Sequence, residues 1–350
     1  HARGRAARDA VEEARRRVAR LVGARPGRIV FTGGGSESDN LALKGLAFAP
    51  RGGRDHVVTS AVEHPAVLAT CRFLERAGLR LTVLPVDGDG RVDPADLARA
   101  VDETTLVVSI QLANNEVGTI QPVRELAALA HARGALFHTD AVQAAGKVPV
   151  DVEALGVDLL TLSSHKLHGP KGVGALYVRK GVALEPLVHG GRQEHGLRAG
   201  TENVAGIVGM GVAADRALHA LPGAAAVAAL RDRLEAGVLA ILPGARLNGA
   251  REARLPNTLG LTLPDLRGEA LVVAMDRHGV ALSSGSACKA GSPEPTHVLL
   301  AMGRTAEEAH CSVRFSLTRE TTPEDVETAL DALRAVLVEM ETTVRFLPCK

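Results

Sequence analysis

The chain has 350 residues, enough for two domains whose cores need neither disulfides nor metal ions to fold. Its 41 Lys and Arg residues against 40 Asp and Glu residues leave no basic excess, and seven aromatic residues are too few for a base-stacking platform, so we expect no nucleic-acid partner. No apolar run approaches the ~18 residues that a membrane-spanning helix needs, so we expect no membrane partner either.

The first part of the chain alternates between helical and β patterns. Apolar residues at helical spacing predict an amphipathic helix over 5–22, and an apolar β run follows at 29–32. Glycines fill 33–35, and Ser36 with Asp39 has the spacing of a capping box that opens the next helix. Further strands are predicted at 56–60, 79–84, 105–112, 135–139, 157–162 and 173–178, with helices at 65–77, 94–101 and 122–133. This alternation predicts an α/β domain around a mostly parallel sheet.

The pattern changes at 221–223, where Leu-Pro-Gly interrupts it. An alanine-rich helix is predicted over 224–241, and a less regular α+β stretch follows it. We therefore predict a large domain over 1–221 and a smaller C-terminal α+β domain over 222–350.

The four cysteines, Cys71, Cys288, Cys311 and Cys349, form no C-x-x-C pair, and their spacing suits neither zinc nor a disulfide framework. We expect a reducing, cytoplasmic setting. The histidines include no H-E-x-x-H pair, so we predict no metal site.

Polar residues follow the strand predicted at 157–162 and lead to Lys166, with glycines close behind. Ligands of parallel α/β sheets bind at the carboxyl ends of strands. A lysine there can form a Schiff base with a carbonyl cofactor if partial desolvation keeps its amine neutral. A lysine with no supporting feature would more simply belong to a surface turn.

Asp140 supplies a supporting feature, because it ends the preceding predicted strand. Enzymes that use pyridoxal phosphate pair the Schiff-base lysine with an acid that keeps the pyridinium nitrogen protonated. The alternative is a helix cap, since Asp also suits a strand-to-helix junction.

Two predicted loops carry further candidate functional residues, one before Ser36 and one around Cys288. Backbone N–H groups of the glycines before Ser36 can hold a phosphate at a helix N-terminus, although a glycine-rich turn alone is a weak signal. Small residues surround Cys288, and adjacent Lys289 favours its thiolate, so we interpret it as a reactive thiol in preference to an incidental loop cysteine. Cys71 lies at helical spacing with apolar residues, which predicts burial.

Taken together, these segments resemble the cysteine desulfurases of the class-V aminotransferase group over nearly the whole chain. The resemblance rests on several motifs in the same order and spacing, at 32–40, 63–64, 114–118, 140–143, 163–166, 198–203, 283–288 and 312–316. It implies the type I fold of pyridoxal-phosphate transferases, with a large and a small domain. It also implies a further strand ahead of His1.

The resemblance implies a role for each matched residue. Lys166 forms the Schiff base with pyridoxal 5′-phosphate and moves the Cα proton, and Asp140 pairs with the pyridinium nitrogen. Cys288 attacks the sulfur of the substrate, L-cysteine. The other residues that contact the cofactor or the substrate are His64 on the ring, Gln143 on the ring hydroxyl, Gly35, Ser36, Ser163 and His165 on the phosphate, Thr201 on the phosphate from a second subunit, Arg314 on the substrate carboxylate, and Asn115 beside both cofactor and substrate.

The implied activity is conversion of cysteine to alanine with transfer of sulfur to an enzyme persulfide. A homodimer is implied, as is a sulfur acceptor such as an iron–sulfur scaffold or a tRNA-thiolation protein. Selenocysteine lysis or transamination on the same fold is the alternative, and a catalytically silent scaffold is a third possibility.

Overall fold

The computed structural model describes residues 1–284 and 294–346, with side chains described as far as residue 340. The described chain divides into two compact units. Unit 1 comprises His1–Val86, Arg91–Asn114 and Ile120–Pro222, and unit 2 comprises Asp87–Gly90, Asn115–Thr119 and the described part of the chain from Gly223 onward.

Unit 1 contains a seven-stranded sheet whose spatial order is β1-β7-β6-β5-β4-β2-β3. Its strands are β1 (Ile29–Thr32), β2 (His56–Ser60), β3 (Arg80–Leu84), β4 (Thr105–Ser109), β5 (Leu136–Asp140), β6 (Leu159–Ser163) and β7 (Gly174–Val178). Strands β3, β2, β4, β5 and β6 are parallel, whereas β7 pairs antiparallel with both β6 and β1. The prediction of a mostly parallel sheet is therefore confirmed.

Helices of unit 1 follow the strands that they connect. They are α1 (Ala2–Leu21), α2 (Gly35–Phe48), α3 (Pro65–Arg76), α4 (Pro94–Ala100), α5 (Val123–Ala132), α6 (Val152–Leu155) and α7 (Val204–Ala220). Residues of β2, β4, β6 and β7 are buried along their whole length, as expected of strands covered on both faces. Proline opens both α3 and α4, where its missing N–H would have no helical partner.

The predicted capping box at Ser36 is wrong. Helix α2 begins one residue earlier, and its N-cap is Gly34, which offers no side chain. Asp39 lies in the helix and is 1% exposed, while Glu37 reaches back to accept a hydrogen bond from Gly33 N at 2.8 Å. The acidic residue at the start of the helix is thus Glu37, whereas the Asp39 side chain is buried and does not cap the helix.

Unit 2 is an α+β arrangement built on a four-stranded antiparallel sheet of order β10-β11-β9-β8. Its elements are α8 (Ala224–Ile241), β8 (Arg246–Asn248), β9 (Thr258–Thr262), α9 (Gly268–Arg277), β10 (Ser283–Ser284), α10 (His297–Ala301), α11 (Ala306–His310), β11 (Ser312–Ser316) and α12 (Pro323–Phe346). Alternate residues of β9 and β11, such as Leu259 and Val313, share a core with apolar residues of α8, α9 and α12.

Among the described residues, the stretch Val204–Ile241 is apolar and long enough to meet a length-and-composition test for a membrane span. It comprises α7 and α8, separated by a turn at Leu221–Gly223, and 39% of its most apolar window is buried. Buried core helices meet the same test, and α7 packs against α1 within unit 1.

Candidate active site

The carboxyl ends of β5 and β6 bring Asp140 and Lys166 to one edge of the parallel sheet. Asp140 is the last residue of β5 and lies opposite Thr161 of β6. Strand β6 ends at Ser163, and the 3-10 turn Ser164–Leu167 that carries Lys166 follows directly. The two side chains interact electrostatically, since the Lys166 ammonium lowers the pKa of Asp140.

Burial is the dominant influence on the Asp140 carboxyl group. It raises the pKa to about 6, against the opposing effects of the Val142 N–H and of Lys166. Val142 N donates to Asp140 Oδ1 at 2.8 Å, so the carboxylate also holds the turn after β5. The structural and the chemical interpretation of Asp140 are therefore compatible, because one oxygen is sufficient for the turn.

The glycine loop lies beside this edge. A Cβ atom on Gly35 would lie 3.1 Å from Val142 Cγ2 and 3.4 Å from Ser163 Cβ, so the loop, the turn after β5 and the end of β6 converge. Ser163 Oγ and His165 Nδ1 are hydrogen-bonded at 2.9 Å. Three of the residues predicted to hold a phosphate, Gly35, Ser163 and His165, are thus close together. Ser36 is exposed in the first turn of α2.

His64 and Gln143 both belong to unit 1. His64 is the N-cap of α3, and its Nδ1 accepts a hydrogen bond from Ala66 N at 3.1 Å. Gln143 lies in the turn after β5, and Lys147 Nζ donates to its Oε1 at 2.9 Å. Thr201 is exposed, in the segment that precedes α7.

These groups suit pyridoxal phosphate. Lys166 can attach the carbonyl carbon of the cofactor, and the buried carboxylate of Asp140 can pair with its ring nitrogen. Gly35 has no side chain to fill the space beside Ser163 and His165, whose hydroxyl and imidazole groups can donate hydrogen bonds to a phosphate.

Comparison with known proteins identifies the family. The model of the class-V aminotransferases matches residues 1–329. A cysteine desulfurase IscS from Dictyoglomus turgidum is 48% identical over 343 residues, which make up 98% of this chain and 87% of that protein. The chain belongs to the cysteine desulfurases of the class-V aminotransferase family. Its cofactor is pyridoxal 5′-phosphate, as predicted.

Solved structures of this family share the fold. A NifS-like protein superposes with a TM-score of 0.90 at 40% identity, covering 97% of this chain and 90% of that one. SspA in complex with cysteine superposes with a TM-score of 0.79 at 37% identity, covering 92% and 90%. The predicted type I fold is confirmed.

Arg314 and Asn115 of this cysteine desulfurase lie together in unit 2. Arg314 is on β11, and its Nη1 donates to the backbone carbonyl oxygen of Asn115 at 2.7 Å. Its Nη2 donates to Ser283 Oγ at 3.0 Å, and its Nε donates to Ser316 Oγ at 3.1 Å. Backbone and hydroxyl acceptors therefore orient the guanidinium group. Cys288 lies outside the described residues.

A buried polar network that sequence reasoning missed lies around Asp140. His138, two residues earlier on β5, shares a hydrogen bond with Ser109 Oγ at 2.8 Å and with Thr161 Oγ1 at 3.0 Å. Its Nε2 is 3.7 Å from Asp39 Oδ1. Burial lowers the pKa of His138 to about 3, which keeps the imidazole neutral, and burial together with the Asp140 charge raises the pKa of Asp39.

Glu63 is a second buried carboxyl group near Asp140. It accepts a hydrogen bond from Ser60 Oγ at 2.5 Å and from Gln111 N at 3.0 Å, and burial raises its pKa to about 8. Asp39 and Glu63 both occur inside motifs that carry the family resemblance. For Glu63 the signal in the sequence is an acidic residue directly after an apolar β run, whereas Asp39 stands among polar residues and carries no such signal.

Proposed function

We propose that this enzyme takes sulfur from L-cysteine, releases alanine and carries the sulfur on Cys288 as a persulfide. The observation that supports the proposal is the juxtaposition of Asp140 and Lys166 at the carboxyl ends of adjacent parallel strands. We place the enzyme in the cytoplasm as a homodimer that passes its sulfur to an acceptor protein such as an iron–sulfur scaffold.

Pyridoxal phosphate supplies, when bound, an electron sink that stabilises negative charge at the substrate Cα. Lys166 would hold it covalently, and Asp140 would pair with its ring nitrogen. The remaining groups would fix its orientation, with His64 and Gln143 at the ring, Asn115 beside it, and Gly35, Ser36, Ser163 and His165 at the phosphate.

Asp140 and Lys166 have different roles in the reaction. Asp140, whose pKa is about 6, is ionised at neutral pH and so favours a protonated ring nitrogen. Lys166 is half-buried just after the end of β6, and its amine would accept the Cα proton.

Sulfur transfer is assigned to Cys288. Its thiolate forms an S–S bond with the substrate Sγ while the Cβ–Sγ bond breaks, and the electron pair of that bond remains on Cβ. Protonation of Cβ then gives the methyl group of alanine, and the persulfide sulfur is available to a thiol of the acceptor.

Cys288→Ala tests this role. We expect the variant to bind pyridoxal phosphate as the wild type does but to form alanine from cysteine at least about 10²-fold more slowly, because the nucleophile is missing. Cys71→Ala is the control, since Cys71 is buried and burial raises its thiol pKa to about 12. Wild-type alanine formation by Cys288→Ala would remove Cys288 from the mechanism. If the wild-type enzyme forms a keto acid from cysteine in place of alanine, the reaction is a transamination.

Arg314→Lys tests carboxylate binding. Lysine keeps the charge but loses the planar fork, so we expect the KM for cysteine to rise by about 10–100-fold with little change in cofactor affinity. Arg334→Lys, on the surface of α12, is the control. If KM stays within twofold of wild type, the substrate carboxylate binds elsewhere.

The homodimer proposal depends on Thr201. This residue is exposed in the single chain, as expected of a side chain that reaches a partner's cofactor phosphate. Light scattering of the active enzyme is expected to give the mass of two chains, and a fully active monomer would contradict the assignment.

A further inference from the structure

The turn at Glu194–Gly196 adopts a backbone conformation that two of its residues rarely tolerate. Glu194 has a φ of 45° and His195 a φ of 60°, and only the third residue is a glycine. Left-handed backbone is costly for residues with a Cβ atom, so surrounding contacts must stabilise it.

The stabilising contact is a buried ion pair between this turn and α1. Arg15 Nη1 and Nη2 donate to the two Glu194 carboxylate oxygens at 2.7 and 2.8 Å, and both side chains are about 5% exposed or less. Arg15 Nη1 also donates to the Ile29 carbonyl oxygen at 2.7 Å, so the guanidinium group reaches β1 as well.

Glu194 also bonds directly to the strand that leads into the glycine loop. The Phe31 N–H donates to Glu194 Oε2 at 2.7 Å, and Gly33 is only two residues further along. The Glu194 carboxylate therefore accepts three strong hydrogen bonds, two from a cation and one from the backbone, and its negative charge is compensated despite burial.

A second ion pair joins the same segment to the loop itself. Arg198 Nε donates to Glu37 Oε1 at 3.0 Å, and Glu37 Oε2 accepts the hydrogen bond from Gly33 N. The segment from Glu194 to Arg198 is thus attached on both sides of Thr32, immediately before the residues assigned to the phosphate. Thr201 follows on the same segment.

We propose that Glu194 is a positioning residue for the cofactor phosphate: through Arg15 and Phe31 N it fixes the strand that leads into the glycine loop of the same chain. This inference rests on the proposed function, in which Gly35 and Ser36 hold the phosphate. Removing the carboxylate charge leaves the buried Arg15 with only the half-exposed Glu12 as an acidic partner and allows the left-handed turn to relax, which moves the loop away from the geometry that binds the anion.

Glu194→Gln tests the inference by comparison with Glu235→Gln. Glu235 forms an ion pair of similar burial with Arg254 at 2.5 Å, but in unit 2 and on a different helix. We expect the dissociation constant of pyridoxal phosphate to rise at least about tenfold in Glu194→Gln, because loss of a group that orients the binding residues commonly weakens affinity by this much. In Glu235→Gln it should stay within about twofold, although both variants lower the melting temperature of the cofactor-free enzyme.

The measurement is a fluorescence or absorbance titration of the full-length, cofactor-free enzyme with pyridoxal phosphate. A Glu194→Gln affinity within about twofold of wild type, with a lowered melting temperature, would mean that Glu194 only stabilises the fold, and the inference would be overturned. Equal weakening by Glu235→Gln would overturn it too.

Arg198→Gln provides a second variant that retains the buried pair. Its side chain is 30% exposed, so we expect it to fold and to weaken cofactor binding by about threefold through loss of the Glu37 contact. Unchanged affinity in this variant would contradict the role of the segment. Failure of the wild-type enzyme itself to bind the cofactor is a different result, which would overturn the proposed function and this inference with it.

Discussion

Lys166→Ala is expected to abolish the visible absorption band of protein-bound pyridoxal phosphate and to slow alanine formation by at least about 10³-fold. The substitution removes both the amine that attaches the cofactor and the base that moves the Cα proton. Because the Lys166 side chain is only half-buried, in the 3-10 turn after β6, alanine should not disturb the fold.

The experiment compares Lys166→Ala with Lys180→Ala, which replaces an exposed lysine just after β7, following desalting and addition of cysteine. Lys180→Ala should retain the band and the activity. A Lys166→Ala enzyme that keeps its chromophore through desalting would show that another amine attaches the cofactor.

Asp140→Asn is expected to have two opposite effects, on catalysis and on stability. Alanine formation should fall by about 10²–10³-fold, because a neutral amide does not keep the ring nitrogen protonated. The cofactor-free protein should be more stable at neutral pH by about 2–3 kcal/mol, because the buried charge is gone.

The stability effect has a definite pH dependence. Burial raises the pKa of folded Asp140 to about 6, above its ordinary value of 3.8, so the protonated form is favoured by folding. The stability that this group contributes is present below its unfolded pKa and is lost as the pH rises through about 6. The advantage of Asp140→Asn should therefore grow between pH 4.5 and pH 7 and level off above it.

Thermal unfolding of cofactor-free wild type and Asp140→Asn over this pH range measures the effect. Asp9→Asn, at an exposed position in the middle of α1, is a control that should show little change. A pH-independent difference between wild type and Asp140→Asn would contradict the account of Asp140 as a buried carboxyl group with a raised pKa.

Much of the fold of unit 1 could be predicted from the local spacing of apolar residues. The alternation of apolar β runs with helical spacing is a short-range property, so the positions of β2, β5, β6 and β7 could be predicted closely. The carboxyl ends of parallel strands meet at one edge, which is why the sequence alone predicts that Asp140 and Lys166 lie close together.

Contacts between residues that are distant in the sequence could not be predicted in this way. Ser36 and Asp39 have capping-box spacing, but the burial of Asp39 beside His138 depends on how α2 packs on the sheet. Arg15 and Glu194 are 179 residues apart, and nothing in either neighbourhood indicates the other. Such pairs are selected by tertiary packing, which overrides local preference.

The central claim is that Lys166 carries the cofactor opposite Asp140. Reduction of the cofactor-loaded enzyme with borohydride, followed by proteolysis and mass spectrometry, locates the pyridoxyl group covalently. We expect the label on Lys166 in the peptide that follows β6, and its loss in Lys166→Ala. A label on another lysine of the chain, or no label on an enzyme that converts cysteine to alanine, would contradict the account.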